Sequence, residues 1–278
     1  MAAAAAVGTV APGAVAPAAA AAPPAAWTCG PDDWLDGVTV PGDVVVEGDG
    51  CWLLEAHVLG DVRVADGAVA RVTATRVDGD VVVGAGAEAD LDDVVVAGGV
   101  QLDRAADVRI VGEVGRSVRG KTDRALLSGT VRGAINIAVP QAVRTRGLTL
   151  WRADVGGWVN VHGGATHVAD VTLRRGLTLS WVWSSVVSEA DVAADLTVRR
   201  AHQRVDVGHL RWTGGGWVDG PPARRTTVGG DLLVQDNASR VVVGATDVAG
   251  DVDCTGGAVT PRLTDVTIGG ARTGRCAG

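Results

Sequence analysis

Tryptophan and arginine occur side by side in the middle of the sequence, where they could bind an acidic sugar polymer. Indole rings stack on sugars, and guanidinium groups pair with carboxylate or phosphate. Trp181 and Trp183 are predicted to share one face of a strand, whereas Trp158 and Trp217 follow Gly-Gly pairs and are expected in the core. Because Phe and Tyr are absent, the competing interpretation is that tryptophan generally fills the core. The candidate ligand-binding residues, within the Trp/Arg-rich region 144–217, are Trp151, Arg152, Trp181, Trp183, Arg211 and Trp212.

Aspartates and histidines are the other residues with possible chemistry. Five aspartates follow glycine in a recurring phrase, and a ladder of carboxylates could hold Ca²⁺. We favour a role in turns, where Asp hydrogen-bonds its own backbone. The histidines lack carboxylate or thiolate partners at the usual spacing, so no metal or cofactor is expected. The aspartates are Asp43, Asp61, Asp80, Asp231 and Asp251, and the histidines considered are His162, His167, His202 and His209.

No catalytic pattern stands out in the sequence. It has no G-x-S-x-G, H-E-x-x-H or P-loop motif. A polysaccharide lyase or hydrolase would need acidic groups around a cleft, and the basic middle of this chain is poor in acids. No nucleic-acid-binding module is recognisable either. We therefore expect a protein that is not an enzyme and has no specific nucleic-acid partner.

Charge is unevenly distributed along the chain, whose net charge is −7. Residues 28–114 carry a balance of −13, residues 115–226 of +8 and residues 227–278 of −2. Such polarity could steer a partner or favour head-to-tail self-association. The alternative is an ordinary solvated surface.

Four cysteines form two pairs at opposite ends of the sequence. Cys29 and Cys51 are 22 residues apart, and so are Cys254 and Cys276. No C-x-x-C or nearby histidine suggests zinc, so two disulfides, Cys29–Cys51 and Cys254–Cys276, are predicted. Disulfides persist in oxidising compartments, which favours a secreted, extracellular protein.

Residues 1–26 are almost only Ala, Val, Gly and Pro. They resemble the apolar region and small-residue cleavage zone of a signal peptide, although the basic start of such a peptide is missing. The alternative is an Ala/Pro tail of a cytoplasmic protein. No later apolar run is long enough to span a bilayer. We expect one domain over residues 27–278.

One phrase, glycine, often aspartate, and then an apolar–any–apolar strand, recurs mostly every 17 to 21 residues. Short second strands lie between its copies, for example at residues 69–77, 91–96, 108–111, 168–173 and 241–243. Repeats of this length with two or three short strands predict an all-β fold, a right-handed parallel β-helix of about a dozen rungs. The spacing is irregular near residues 133–157 and 194–230. The phrase begins at Gly42, Gly60, Gly79, Gly99, Gly133, Gly157, Gly176, Asp195, Gly230 and Gly250.

The predicted β-helix explains why the cysteines of each pair are 22 residues apart. Residues one rung apart stack about 4.8 Å from each other, which is within disulfide reach. Each disulfide is therefore expected to tie a terminal rung to its neighbour, where fraying is the risk.

The two ends of the sequence resemble a group of uncharacterised secreted repeat proteins of actinobacteria. The resemblance rests on Gly230-Asp231-Leu232, on Gly250-Asp251-Val252-Asp253-Cys254 and Gly274-Arg275-Cys276, and on the segment between Cys29 and Cys51. It implies export and a β-helix but no activity, and Gly and Ala stand here where those proteins tend to have Asn. The Gly-Asp-Val phrase is also similar, more weakly, to bactofilins, which form polymers.

These observations predict a non-enzymatic, secreted structural or cell-surface β-helix protein. One alternative is a carbohydrate-binding module that recognises anionic wall polysaccharide through region 144–217. Others are a self-assembling, bactofilin-like filament subunit and a polysaccharide lyase or hydrolase. Exposed tryptophan would favour the carbohydrate-binding module, open terminal rungs the filament, and a cleft with two carboxylates the enzyme.

Overall fold

The structure is a computed structural model that describes residues 26–143, 146–212, 217–219 and 222–277. Strands are the dominant regular element of these residues, in keeping with the abundance of β-branched valine. The signal-peptide-like segment 1–26 lies outside the described residues except for Ala26.

Twenty-nine strands are described. The first ten are β1 (Trp27–Cys29), β2 (Trp34–Asp36), β3 (Thr39–Val40), β4 (Val44–Val46), β5 (Asp49–Leu54), β6 (His57–Val58), β7 (Val62–Val64), β8 (Val69–Thr73), β9 (Arg76–Val77) and β10 (Val81–Val83). The next ten are β11 (Glu88–Val96), β12 (Val100–Val114), β13 (Val118–Val131), β14 (Ile135–Ala138), β15 (Gly147–Val155), β16 (Val159–His162), β17 (Ala165–Leu173), β18 (Leu177–Ser180), β19 (Ser184–Val192) and β20 (Leu196–Arg199). The last nine are β21 (Val205–Val207), β22 (Leu210–Trp212), β23 (Trp217–Asp219), β24 (Thr226–Val228), β25 (Leu232–Gln235), β26 (Val241–Val248), β27 (Val252–Thr255), β28 (Arg262–Ile268) and β29 (Arg272–Gly274), and a 3₁₀ turn follows at Arg275–Ala277.

The chain coils into a right-handed parallel β-helix of about twelve rungs, which confirms the predicted fold. Register divides each rung into three stretches, so that three parallel sheets run along the molecule. Sheet 1 contains the strands that follow the recurring glycine phrase, and sheets 2 and 3 contain the next two stretches of each rung. Sheet 1 is formed by β1, β4, β7, β10, the first residues of β12 and β13, β14, β16, β18, β20, β25, β27 and β29.

Valine and leucine fill the interior because alternate residues of each strand point inward. In sheet 1, Val62, Val81, Val100, Val118 and Ile135 stack one above another, and all five are buried. Fully burying one such side chain contributes about 1.5–3 kcal/mol, so stacked rungs stabilise one another through a continuous core.

Two rungs are longer than the others, at the places where the spacing is irregular. Asn160 stacks on Asn136 after 24 residues, because extra residues lie between β14 and β15. Asp231 stacks on Asp195 after 36 residues. The second long rung contains an antiparallel pair, β22 and β23, inserted between sheet 2 and sheet 3.

The recurring aspartates join neighbouring rungs. Asp43 Oδ1 accepts the backbone N–H of Asp61 at 2.9 Å, and Asp61 Oδ1 accepts that of Asp80 at 2.9 Å. The glycine before each aspartate leaves room for this contact, because a Cβ on Gly60 would collide with Asp43. The prediction that Asp caps its own turn is therefore wrong in its detail, since the capped amide belongs to the next rung. The same bond is made by Asp80 to Gly99, Asp195 to Asp231, Asp231 to Asp251 and Asp251 to Ala271.

Both predicted disulfides are present. Cys29 bonds Cys51 with their Cα atoms 5.8 Å apart, and Cys254 bonds Cys276 with a separation of 5.3 Å. The expectation that bonded residues stack directly on each other is wrong for both pairs, since Cys254 stacks on Gly274 and Cys276 lies in the 3₁₀ turn that follows. Cys29 stacks on Val46 in sheet 1 and Cys51 stacks in sheet 2, so the first bond crosses the interior near a corner.

Candidate functional site

A long, open groove lies on the outer surface of sheet 1, across six consecutive rungs from β12 to β20. Its volume is about 740 Å³. Because inward positions are taken by the core, the groove is lined by the alternate, outward side chains of these strands. We call it the sheet-1 groove. Its polar lining residues are Gln101, Asp103, Arg119, Lys121, Asn136, Asn160, His162, Thr178, Ser180 and Arg199.

The register arranges these side chains in two parallel columns. In one column, Gln101, Arg119, Asn136, Asn160 and Thr178 follow one another from rung to rung. Two residues further along each strand, the second column contains Lys121, Ala138, His162, Ser180 and Arg199. The groove therefore has cations towards both ends and amide, imidazole and hydroxyl groups between them.

Hydrogen bonds fix the middle of the groove. Asn160 Nδ2 donates to Asn136 Oδ1 at 2.7 Å. Ser180 lies 3.3 Å from His162 Nδ1 and donates to the carbonyl of Val161 at 3.3 Å. These bonds use only part of the capacity of the side chains, since each amide has two donors and an acceptor with two lone pairs.

The cations of the groove have no carboxylate beside them. Among the described residues, Arg119, Lys121 and Arg199 form no ion pair within 4.0 Å. Asp103 is the one carboxylate that lines the groove, and Arg104 lies 3.6 Å from it. The groove therefore carries uncompensated positive charge.

The outer surface of sheet 2, by contrast, pairs its own charges. Arg109 contacts Asp90 at 2.8 Å and Asp92 at 3.0 Å, and Arg124 contacts Asp107 at 3.0 Å. The hydrogen bond that Arg109 donates to Asp90 raises the pKa of the guanidinium. Not every arginine of this sheet is paired, since Arg71 and Arg262 form no ion pair in the described structure.

Sheet 3 pairs its charges through a ladder in which threonine and aspartate alternate. Asp154 accepts from Arg174 at 2.8 Å, and this hydrogen bond lowers the pKa of the Asp154 carboxyl. Asp247 accepts from Arg225 at 2.9 Å, which lowers its pKa in the same way. These carboxylates are neutralised by arginine and are poor candidates for a calcium site. The ladder consists of Thr130, Asp154, Thr172, Asp191, Thr227, Asp247 and Thr267.

Trp158 lies outside the groove lining, at the corner of the β-helix two residues before Asn160. It occupies the corner position that aspartate holds in other rungs, and it is 44% exposed. Its ring covers Gly176 of the next rung, where a Cβ would collide with the indole. The prediction that Trp158 lies in the core is wrong, because the inward position belongs to its neighbour Val159. The side chain of Trp217 lies outside the described residues.

Trp181 lies at the opposite corner of sheet 1, directly after Ser180. It is half-buried, and the Arg200 guanidinium lies 5.0 Å from the centre of its ring. The rings of Trp181 and Trp183 lie 6.0 and 5.9 Å from that of His202. Both tryptophans belong to the corner between β18 and β19, so the prediction that they share a strand face is wrong.

The remaining candidate ligand-binding residues lie elsewhere. Arg152 covers the ring of Trp151 at 4.4 Å, at the far end of the sheet-2 strands from Trp181. Arg211 and Trp212 belong to β22, and their side chains are outside the described residues. The structure therefore places Trp151 and Trp181 at different corners of the β-helix.

A second aromatic group, not predicted from the sequence, lies at the N-terminal end of sheet 2. Trp34 stacks on Trp52 with ring centres 5.5 Å apart, and the Arg71 guanidinium lies 4.6 Å from the Trp52 ring. Register brings these residues together from three successive rungs. In the sequence, the spacing of these three residues by about one rung each is the only sign that they stack on one another.

Among the described residues, no group of three or more His, Cys, Asp or Glu side chains is placed to hold a metal ion. His162 contacts Ser180 and His202 lies beside two indoles. Burial lowers the pKa of His167.

Apolar side chains are partly exposed in the terminal rungs, at Trp27 and Leu35 and at Leu263, Val266 and Ile268. In the described part of the chain, no helix is both long enough and apolar enough to cross a membrane. Comparisons with protein families, with curated proteins and with solved structures find no match.

Proposed function

We propose that this chain is a non-enzymatic structural protein of the cell exterior, either secreted or held at the cell surface. The observation that carries the proposal is the pair of disulfides, one in each terminal region of a single β-helix. The terminal rungs have a neighbour on one side only, and a covalent bond there limits fraying. Such bonds persist where thiols are not continuously reduced.

The surface chemistry supports a rod that is stable by itself. Sheets 2 and 3 neutralise their carboxylates with arginine, and the aspartate ladder satisfies the amides at one corner. These contacts pair many of the charges on two of the three faces of the described structure. A rigid, proteolysis-resistant scaffold needs this kind of surface.

The acid content of the groove supports a role without catalysis. Glycoside hydrolysis generally needs two carboxyl groups on either side of the scissile bond. Asp103 is the one carboxylate among the residues that line the sheet-1 groove. A lyase or hydrolase is therefore the less favoured candidate for this surface.

Thiol labelling in cell fractions would test the location. We expect the native protein in the culture medium or the cell-surface fraction, with four cysteines that react with a maleimide only after reduction. Recovery in the cytosol with four reactive thiols would contradict the proposal. Release of reducing or unsaturated sugar ends from a panel of polysaccharides by the purified protein would contradict its non-enzymatic part.

A further inference from the structure

We infer that the sheet-1 groove is a binding site for an extended polysaccharide that bears carboxylate groups, a role that goes beyond a structural one. Arg119 and Lys121 project from β13, and Arg199 projects from β20, four rungs away. With about 4.8 Å per rung, these cations are separated by about 19 Å along the axis. A polymer lying along the β-helix would contact both groups.

The absence of carboxylate partners gives these cations a reason to bind an anion. Most described arginines on sheets 2 and 3 lie beside aspartate, whereas Arg119, Lys121 and Arg199 have no ion-pair partner among the described residues. A ligand carboxylate would accept from a guanidinium in two parallel hydrogen bonds. Binding would then cost no existing ion pair.

The residues between the cations match the hydroxyl groups of sugars. Asn136, Asn160 and Thr178 follow one another in a single column, with His162 and Ser180 beside them. Amide and hydroxyl groups both donate and accept hydrogen bonds, as sugar hydroxyls do. A ligand that had only anionic groups would need only hydrogen-bond donors from the protein.

The corners on either side of the groove provide aromatic surface. The indole of Trp158 lies along one corner with 44% of the residue exposed, next to the strand that carries Asn160. Trp181 lies at the other corner, beside Ser180. Aromatic faces beside such a groove favour the stacking of sugar rings.

The density of charge distinguishes this ligand from a nucleic acid. DNA carries one charge per about 1.7 Å of its axis. The groove provides three unpaired cations, on a protein whose net charge is −7. This density suits a polymer with at most one carboxylate per sugar ring. Among acidic polymers, a uronic-acid polysaccharide fits the groove best.

Calorimetric titration of the full-length protein would test the inference. The ligands are an oligogalacturonate, a dextran of equal length as the neutral control, and a single-stranded DNA oligomer. The variants are Arg119→Gln with Lys121→Gln, Arg199→Gln, and Trp158→Ala. Arg262→Gln and Trp34→Ala are matched controls, since Arg262 is exposed and unpaired in the described structure and Trp34 is exposed, and both lie in terminal rungs.

We expect the oligogalacturonate to bind, with an affinity that falls as salt is added. Loss of one charge-assisted hydrogen bond should weaken binding by about tenfold in the Arg199→Gln variant. The two controls should bind as the wild type does, and circular dichroism should show that all variants fold. Equal binding by groove and control variants, tighter binding of DNA, equal binding of dextran, or no binding of oligogalacturonate would each overturn the inference.

Discussion

The hydroxyl oxygen of Ser117 lies 3.1 Å from the backbone nitrogen of Ala134 and accepts its N–H. This is the corner at which Asp43, Asp61 and Asp80 accept the corresponding amide through a carboxylate. A short, uncharged side chain with an acceptor oxygen can therefore take the place of the carboxylate at this corner. The side chains of the ladder serve as hydrogen-bond acceptors for backbone N–H groups.

In the wild type, the backbone N–H of Gly99 donates to Asp80 Oδ1 at 2.7 Å. Replacing Asp80 by alanine removes this acceptor and should lower the free energy of unfolding by about 1–2 kcal/mol. Asp80→Asn keeps an acceptor and should cost less than half as much. Urea denaturation of both variants would measure the difference. Glu88→Ala, at an exposed position, is the control and should be neutral. Equal losses for Ala and Asn would mean that charge is what the corner requires.

Removing either disulfide should destabilise the rungs that it joins. Each bond closes a 22-residue separation, for which loop-closure entropy predicts about 3 kcal/mol. In a Cys29→Ala/Cys51→Ala variant, hydrogen exchange should accelerate in β1 to β6 and stay slow in β13 to β18. In the Cys254→Ala/Cys276→Ala variant, hydrogen exchange should instead accelerate at the other end, in β25 to β29. Uniform acceleration along the chain would contradict an end-specific role.

Acid should destabilise the protein through His167. Burial lowers the pKa of this imidazole in the folded state, so the unfolded chain binds the proton more readily. Above the unfolded-state pKa of about 6.5, the histidine is neutral in both states and costs no stability. As the pH falls from about 6.5 towards the folded-state pKa, the free energy of unfolding decreases. Thermal melts between pH 5 and 8 should show a shallower slope for His167→Gln than for wild type. Equal slopes for the wild type and His167→Gln would contradict a contribution from this histidine.

Two glycines with positive φ should respond differently to alanine. Gly67 has φ 71° and open space around the site of a Cβ, so Gly67→Ala should cost about 1–2 kcal/mol of backbone strain. Gly120 has φ 130°, and a Cβ there would collide with the carbonyl oxygen of Leu102 in the rung below. Gly120→Ala should therefore cost about 4 kcal/mol or more. Comparable unfolding midpoints for the two variants would argue against this close approach of backbones.

The repeat was visible in the sequence wherever glycine and aspartate occur together before an alternating strand. The rung that begins at Val118 escaped detection, because Ser117 replaces the aspartate and Gly120 replaces an inward apolar residue. Ser117 and Gly120 keep the structural roles of the residues that they replace, but they are different residue types. A search for a repeated pattern of residue types therefore misses this rung.

The groove could not be predicted in the same way. Arg119 and Arg199 are far apart in sequence, and whether an arginine is paired depends on the residues that register places beside it. The 24-residue step between Asn136 and Asn160 also shifts the later part of the surface relative to a regular repeat. For Trp158, by contrast, the sequence did contain the signal, because the phrase that begins at Gly157 aligns Trp158 with the aspartate corner and Val159 with the inward position.

The aspartate ladder is interrupted along most of the rungs that form the groove. Asp43, Asp61 and Asp80 bind amides of the following rung towards one end of the described β-helix, and Asp195, Asp231 and Asp251 do so towards the other. Between these two blocks, the same corner is occupied by Gly99, Ser117, Ala134, Trp158 and Gly176, and Ser117 is the one of these whose side chain accepts such an amide in the described structure. The carboxylate–amide bonds therefore lie towards the two disulfides, and the middle rungs are joined at this corner mainly by backbone bonds. A residue as large as Trp158 can stand at the corner there without the loss of a carboxylate–amide bond.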